Sequence, residues 1–138
     1  MKQSEIVTRL SKPVTFNHAF ISGMRVGNFK GFPSLLEVEC QGGHLEGGVK
    51  VLSLKLYAVS DNSVLAYLNT YSNECITYGE YSSCFIDIAD SRNSRLRVLL
   101  VDLEAGESRR YGCKASIFRS GEEAKTSTWS LVVTRNSE

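Results

Sequence analysis

Apolar and polar residues alternate along several stretches of this chain, and this period of two constrains the fold more than any other feature. The stretches are residues 36–40, 51–58, 96–100, 111–116 and 129–133. Successive side chains of a β-strand point to opposite faces, so the alternation predicts strands with one buried face. Turn formers such as Gly42-Gly43 and Ser120-Gly121 separate them. The pattern predicts roughly seven to nine short strands in an all-β sandwich or barrel.

Composition and charge exclude several other classes of protein. Apolar residues make up 42% and charged residues 22% of the chain, which is typical of a globular domain. The 16 basic side chains nearly balance the 15 acidic ones, whereas nucleic-acid and anionic-membrane binders carry a basic surplus. We therefore expect a single domain with no nucleic-acid partner and no membrane insertion. Residues 34–138 are expected to form its core, and residues 1–33 one or more N-terminal edge strands and a loop.

The four cysteines form an even set, which leaves open two disulfides, four free thiols or a zinc site. Zinc is disfavoured because no two cysteines have the short spacing of a zinc-ligand pair. Among disulfide connectivities, the nested pairing of Cys40 with Cys113 and of Cys75 with Cys84 agrees best with the predicted strands. Disulfides form in oxidising compartments, so the sequence predicts a secreted protein.

Residues 107–113 carry a tyrosine two positions before a cysteine and an acidic residue six positions before it. This spacing is that of the tyrosine corner of immunoglobulin domains, in which the tyrosine hydroxyl binds upstream backbone at the E–F corner. It predicts an immunoglobulin-like antiparallel β-sandwich of the variable or intermediate type, with Tyr111 and Glu107 at the corner. Cys113 would then point into the core toward Cys40. We also expect Glu107 to pair with an arginine across the bottom of the sandwich.

Immunoglobulin domains usually carry a tryptophan on strand C, where this chain has Leu-Ser-Leu-Lys-Leu at 52–56; its one tryptophan is Trp129. These leucines, the long stretch from 96–100 to Tyr-Gly-Cys at 111–113 and the closing Ser-Leu-Val-Val at 130–133 resemble the N-terminal immunoglobulin domains of molluscan fibrinogen-related proteins, which are secreted snail lectins. The resemblance implies a non-catalytic recognition module in innate immunity. Its implied partners are protein or glycoprotein ligands, including those of pathogens, an adjoining lectin domain, or further copies of the chain.

Four tyrosines crowd the segment that holds Cys75 and Cys84: Tyr67, Tyr71, Tyr78 and Tyr81. Tyrosine offers a large amphipathic contact area at low entropic cost, which suits binding surfaces. We expect these tyrosines, with His44 in the glycine-rich loop 42–48, to form the binding surface. The alternative is a packed loop with its tyrosines turned inward.

Arginines concentrate in one third of the chain. They suit either a face for an anionic ligand or solvent-side positions balanced by neighbouring acids, and the second interpretation is favoured. The arginines are Arg92, Arg95, Arg97, Arg109 and Arg110.

Catalysis has little support in the sequence. The two histidines, His18 and His44, lie far apart, and no Gly-x-Ser-x-Gly elbow or phosphate-binding loop occurs. We predict no catalytic residue, no metal ligand and no cofactor, and hence that the chain is not an enzyme. The alternative to a recognition module is an adhesion or receptor ectodomain that acts as a spacer or self-association unit.

Overall fold

The computed structural model describes residues 6–8, 19–21, 23–29, 32–42, 45–78, 81–101 and 103–135. Within these residues the chain forms eleven strands and one short 3₁₀ helix, η1. None of them belongs to a helix with the length and apolar character that a bilayer crossing requires. In chain order the elements are β1 (Ile6–Thr8), β2 (Ala19–Ile21), β3 (Met24–Phe29), β4 (Phe32–Gln41), β5 (Val49–Ala58), β6 (Ser63–Asn69), β7 (Glu74–Thr77), β8 (Ser82–Phe85), η1 (Ser91–Asn93), β9 (Arg95–Leu100), β10 (Ser108–Arg119) and β11 (Lys125–Arg135).

The strands form two antiparallel sheets, with orders β1-β11-β10-β5-β6-β7 and β2-β3-β4-β9-β8. In a variable-type immunoglobulin sandwich, strands C, C′, C″, F and G share one sheet, while A, B, D and E share the other. The observed order matches this arrangement with β4 as strand B, β5 to β7 as C, C′ and C″, β8 and β9 as D and E, and β10 and β11 as F and G. The fold is therefore the immunoglobulin-like β-sandwich that the sequence predicts.

The N-terminal part of the chain adds strands that the alternation does not predict, so the described count of eleven exceeds the expected number. Strand β3 pairs with β4 on one side and β2 on the other, and its Met24 and Val26 are fully buried. Part of residues 1–33 therefore belongs to the core instead of the sheet edge. The sequence does not predict this strand because it contains Gly27 and Asn28, and both residue types are uncommon in strands.

The core lies between the two sheets and contains the apolar positions of the alternating stretches. Strands β4 and β9 run side by side, with Val38 opposite Val98 and Cys40 opposite Leu96. Their inward side chains are buried, whereas the alternate positions face outward. Full burial of one aliphatic side chain contributes about 1.5–3 kcal/mol, so this alternation supplies most of the driving force for folding. The largest fully buried side chains are Met24, Leu36, Leu54, Leu56, Leu68, Leu96 and Leu131.

Both disulfides adopt the nested connectivity, so the predicted pairing is confirmed and no cysteine of the described residues is a free thiol. Cys40 and Cys113 join β4 to β10 across the core, with their Cα atoms 5.8 Å apart and no exposed surface. Leu56 of β5 lies opposite Cys113 and is also fully buried. A leucine thus stands beside the core disulfide where immunoglobulin domains usually have a tryptophan. Cys75 and Cys84 join β7 to β8, with a Cα separation of 6.3 Å.

Trp129 of β11 packs on the other sheet at the start of β3. Its indole covers Gly23, and a Cβ atom at that position would overlap the ring. Gly23 also has a φ of +88°, a conformation that glycine adopts far more readily than other residues. The close approach of the two sheets here therefore requires glycine at this position.

Candidate functional site

Three of the four predicted binding tyrosines lie exposed around β7 and β8. Tyr71, in the turn before β7, is 84% exposed, whereas Tyr78 after β7 and Tyr81 before β8 are about half exposed. Tyr67 differs because it lies on β6, is half-buried, and accepts a hydrogen bond from Nδ2 of Asn69 at 3.3 Å. The alternative of a loop with inward tyrosines therefore does not describe Tyr71, Tyr78 or Tyr81.

These tyrosines belong to a larger group of exposed apolar side chains, which we call the apolar edge. Of the seven large hydrophobic side chains exposed in the described part of the chain, six lie between residues 71 and 88; the seventh is Val101. Because β7 and β8 are the neighbouring margins of the two sheets, the six follow one side of the sandwich. The apolar edge consists of Tyr71, Ile76, Tyr78, Tyr81, Phe85 and Ile88.

The disulfide between β7 and β8 determines which side chains face outward on this margin. Cys75 lies opposite the buried Leu68, and Cys84 lies opposite the buried Leu96, so both cysteines occupy inward positions. Cys75 nevertheless stays exposed, because β7 is the open margin of its sheet. Successive residues of a strand alternate between faces, so Ile76 and Phe85 point away from the other sheet. The sequence analysis missed both residues, although the cysteine positions carry the signal that finds them.

A hydrogen-bonded turn holds Tyr71 in its exposed position. Oδ1 of Asn69 accepts hydrogen bonds from the backbone N–H groups of Tyr71 and Ser72, at 2.9 and 3.0 Å. The hydroxyl of Thr70 donates to the carbonyl of Val51 at 2.6 Å, which fixes the turn to β5. Asn73 then takes a φ of +57°, which asparagine tolerates well in turns. The most exposed tyrosine of the chain is thus displayed on a well-braced turn.

A second braced loop, between β8 and β9, displays Ile88, which is 87% exposed. Oδ1 of Asp87 accepts hydrogen bonds from the backbone N–H groups of Ala89 and Asp90, at 2.9 and 3.1 Å. Asp90 caps η1 and pairs with Arg92 at 2.9 Å, and the hydrogen bond from the Arg92 side chain lowers the pKa of Asp90. The loop therefore keeps its shape through local hydrogen bonds that leave Ile88 in solvent.

A cleft of about 310 Å³ lies between these two loops, and Tyr71 and Ile88 both line it. Leu52 and Ile86 form apolar parts of the lining, while Lys50 and Asp87 add two groups of opposite charge. This volume is at the lower end for small-molecule sites, and it suits an apolar side chain presented by a partner. Tyr71 and Ile88, the most exposed tyrosine and the most exposed aliphatic side chain among the described residues, thus line the same cleft.

The loop that contains the predicted His44 is at the same end of the sandwich. His44 itself lies outside the described residues, so its contribution to the surface stays a prediction. The guanidinium of Arg92 donates to the carbonyl of Leu45 at 2.9 Å, and Arg119 pairs with Glu46 at 2.7 Å. The pair raises the pKa of Arg119, chiefly through the hydrogen bond to Glu46. The β4–β5 loop is thereby tied to η1 and to the β10–β11 hairpin.

The predicted tyrosine corner lies at the opposite end of the sandwich. Tyr111 is buried in β10, opposite Leu131 of β11. The backbone N–H of Glu104 and Nε of Arg109 donate to the Glu107 carboxylate, at 2.9 and 2.7 Å. These two hydrogen bonds, the first above all, lower the pKa of Glu107. Glu107 therefore pairs with an arginine, as expected, but that arginine is Arg109 on its own segment and does not lie across the sandwich.

Several arginines of the arginine-rich third of the chain have acidic or aromatic partners. Glu39, only 4% exposed, lies between Arg25 at 3.2 Å and Arg97 at 2.7 Å, which places a carboxylate among the outward arginines of the second sheet. The guanidinium of Arg95 lies 4.8 Å from the ring centre of Phe85, a cation–π distance. These contacts favour the balanced interpretation over a face for an anionic ligand.

Two comparisons with known proteins find no relative of this chain. No protein-family model matches the chain, and a search of curated proteins finds no match.

Proposed function

We propose that the chain is a non-catalytic recognition module that binds a protein or glycoprotein ligand through the apolar edge. One observation carries this proposal: among the described residues, six of the seven exposed large hydrophobic side chains follow a single margin of the sandwich. Exposed apolar residues are normally scattered singly, whereas a contiguous group marks an interaction site. The edge also contains three exposed tyrosines, a residue type enriched in binding surfaces.

The cleft between Tyr71 and Ile88 is the proposed centre of the contact. A ligand side chain that enters it would meet Leu52 and Ile86 and would be flanked by the two exposed residues. Hydrogen bonds already brace both loops, so little conformational entropy is lost when the ligand binds. Residues near the centre of an interface that fill well-packed pockets dominate the binding energy of protein complexes.

We also propose that the module belongs to a secreted innate-immune protein of the lectin type. Two disulfides are compatible with an oxidising, extracellular compartment. The resemblance to the immunoglobulin domains of molluscan fibrinogen-related proteins supports the immune context. The ligand would then be a molecule of a pathogen or parasite surface, and a lectin domain would adjoin this module.

Binding to purified microbial-surface glycoproteins and polysaccharides tests the proposal. The double variant Tyr71→Ser/Ile88→Ser removes both sides of the cleft, and Val101→Ser removes the exposed hydrophobic residue outside the edge. We expect the double variant to bind at least about tenfold more weakly than the wild type, and the control to bind within about twofold. Equal affinity of all three proteins would overturn the proposal.

Sedimentation of the same three proteins separates the proposal from the adhesion or receptor alternative. A wild type that dimerises, together with a monomeric Tyr71→Ser/Ile88→Ser variant, would assign the edge to self-association. A wild type that stays monomeric while binding a microbial glycoprotein would support recognition of a foreign ligand.

A further inference from the structure

We infer that the disulfide between Cys75 and Cys84 is a site of thiol–disulfide exchange, whose co-reactant is a dithiol and whose reduction leaves the sandwich folded. The two disulfides of the chain differ in how a thiolate can reach them. Cys75 is exposed, whereas Cys40 and Cys113 have no exposed surface. Exchange requires a thiolate to reach a disulfide sulfur, so access decides which bond reacts.

The strands around the edge disulfide need little rearrangement to admit a reductant. All four residues of β7 are exposed. Within the part of the chain that the structure describes, β7 pairs with β6 alone and β8 pairs with β9 alone. Local opening of a marginal strand costs much less free energy than opening the core. In contrast, a thiolate reaches Cys40 or Cys113 only after the two sheets separate.

The geometry also gives the exchange a direction. Cys84 is half-buried and packs against the core, so the incoming thiolate attacks the sulfur of the exposed Cys75. A mixed disulfide forms on Cys75, and Cys84 leaves as a thiolate that takes a proton from water. The second thiol of the dithiol then attacks its own sulfur in the mixed disulfide and releases Cys75. The dithiol is oxidised to a disulfide, and the two electrons reduce Cys75 and Cys84 to thiols.

Reduction changes the apolar edge while the core bridge remains. Without the bond, the margin keeps only its own hydrogen bonds, such as those from Leu99 N–H to the Tyr81 carbonyl at 2.8 Å and from Tyr78 N–H to the Leu65 carbonyl at 3.1 Å. The side chains on β7 and β8 can then move apart. A consequence for ligand binding rests on the function proposed above, whereas the exchange reaction does not.

Graded reduction of the native wild-type protein with dithiothreitol, followed by alkylation and peptide mapping, tests the inference. Alkylation of Cys75 and Cys84 should proceed at least about tenfold faster than that of Cys40 and Cys113. The partly reduced protein should keep its far-UV and near-UV circular dichroism. Simultaneous reduction of both bonds, or loss of structure with the edge bond, would overturn the inference.

A monothiol probe tests the direction of attack. Glutathione cannot resolve the mixed disulfide intramolecularly, so trapping at low pH should yield a glutathione adduct on Cys75. An adduct on Cys84 instead would contradict the assignment of the attacked sulfur. Neither experiment uses a ligand, so its result does not depend on the proposed function. Failure to reduce the Cys75–Cys84 bond selectively would overturn the exchange site alone. Failure to bind any microbial-surface ligand would overturn the proposed function alone.

Discussion

The two disulfides lie in regions of opposite character. The Cys40–Cys113 bridge joins strands that each have a neighbour on both sides, β4 between β3 and β9, and β10 between β5 and β11. The Cys75–Cys84 bridge joins two sheet margins, one of which is exposed at every residue. The Cys40–Cys113 disulfide therefore stabilises the core, whereas the Cys75–Cys84 disulfide connects the two strands of the apolar edge. The burial of each disulfide and the pairing of the strands that it joins determine whether it stabilises the core or connects two exposed margins.

Removal of each disulfide should give the largest difference in unfolding free energy between the two regions. Loop-closure entropy predicts a loss of about 4 kcal/mol for Cys40→Ala/Cys113→Ala, which opens a span of 73 residues. The corresponding loss for Cys75→Ala/Cys84→Ala, with a span of nine residues, is about 2.5 kcal/mol. Urea unfolding of both variants measures the difference, and a larger loss at the edge would contradict the distinction between the two regions.

Truncation of one aliphatic side chain in each region sharpens the comparison without changing a covalent bond. Leu56→Ala removes a fully buried side chain beside the core disulfide, so we expect a loss of about 3 kcal/mol. Ile76→Ala removes a side chain that is 41% exposed on β7, and its effect should stay within about 0.5 kcal/mol. Thermal unfolding of both variants provides the measurement. Similar losses at the two positions would show that the edge is packed like the core.

Two glycines with positive φ allow the same comparison for the backbone. Gly23 has a φ of +88° and lies under the Trp129 ring, while Gly121 has a φ of +83° and open space around it. Gly121→Ala should cost about 1 kcal/mol for the backbone conformation alone. Gly23→Ala should cost about 2–3 kcal/mol because the ring must also move. Equal unfolding free energies of the two variants would show that Trp129 does not press on β3.

The smallest expected effect concerns charge at the Glu107 corner. Hydrogen bonds from Glu104 and Arg109 lower the folded-state pKa of Glu107. The stabilisation is therefore complete above the unfolded-state pKa of this carboxyl and is lost as the pH falls through the lower folded-state pKa. Acid titration of unfolding free energy should show a shallower decline for Glu107→Gln than for the wild type. Parallel curves would mean that Glu107 does not contribute to the acid sensitivity.

The sequence predicts the inner architecture well because burial imposes a strict pattern there. Alternation locates β4, β5, β9, β10 and β11, and cysteines at inward positions of β4 and β10 indicate the core bridge. Alternation does not predict β3, because Gly27 and Asn28 interrupt its apolar pattern. Strand parity also places Ile76 and Phe85 outward, once Cys75 and Cys84 are assigned to inward positions.

Other features depend on contacts that spacing does not encode. Ile88 follows β8 in a loop whose shape comes from the hydrogen bonds of Asp87, and no periodic pattern predicts that shape. Glu107 finds Arg109 on its own segment, although sequence reasoning favoured an arginine across the sandwich. The distance between side chains selects the arginine that pairs with Glu107, and this distance is known only when side-chain positions are known.

Native-state hydrogen exchange of the wild-type protein tests the contrast between core and edge most directly. We predict that backbone amides of β4, β9 and β10 exchange only through global unfolding, whereas those of β7 and β8 exchange through local opening with much lower protection. Reduction of the Cys75–Cys84 bond should lower protection in β7 and β8 alone. Equal protection of the margin and the core in the oxidised protein would contradict the account.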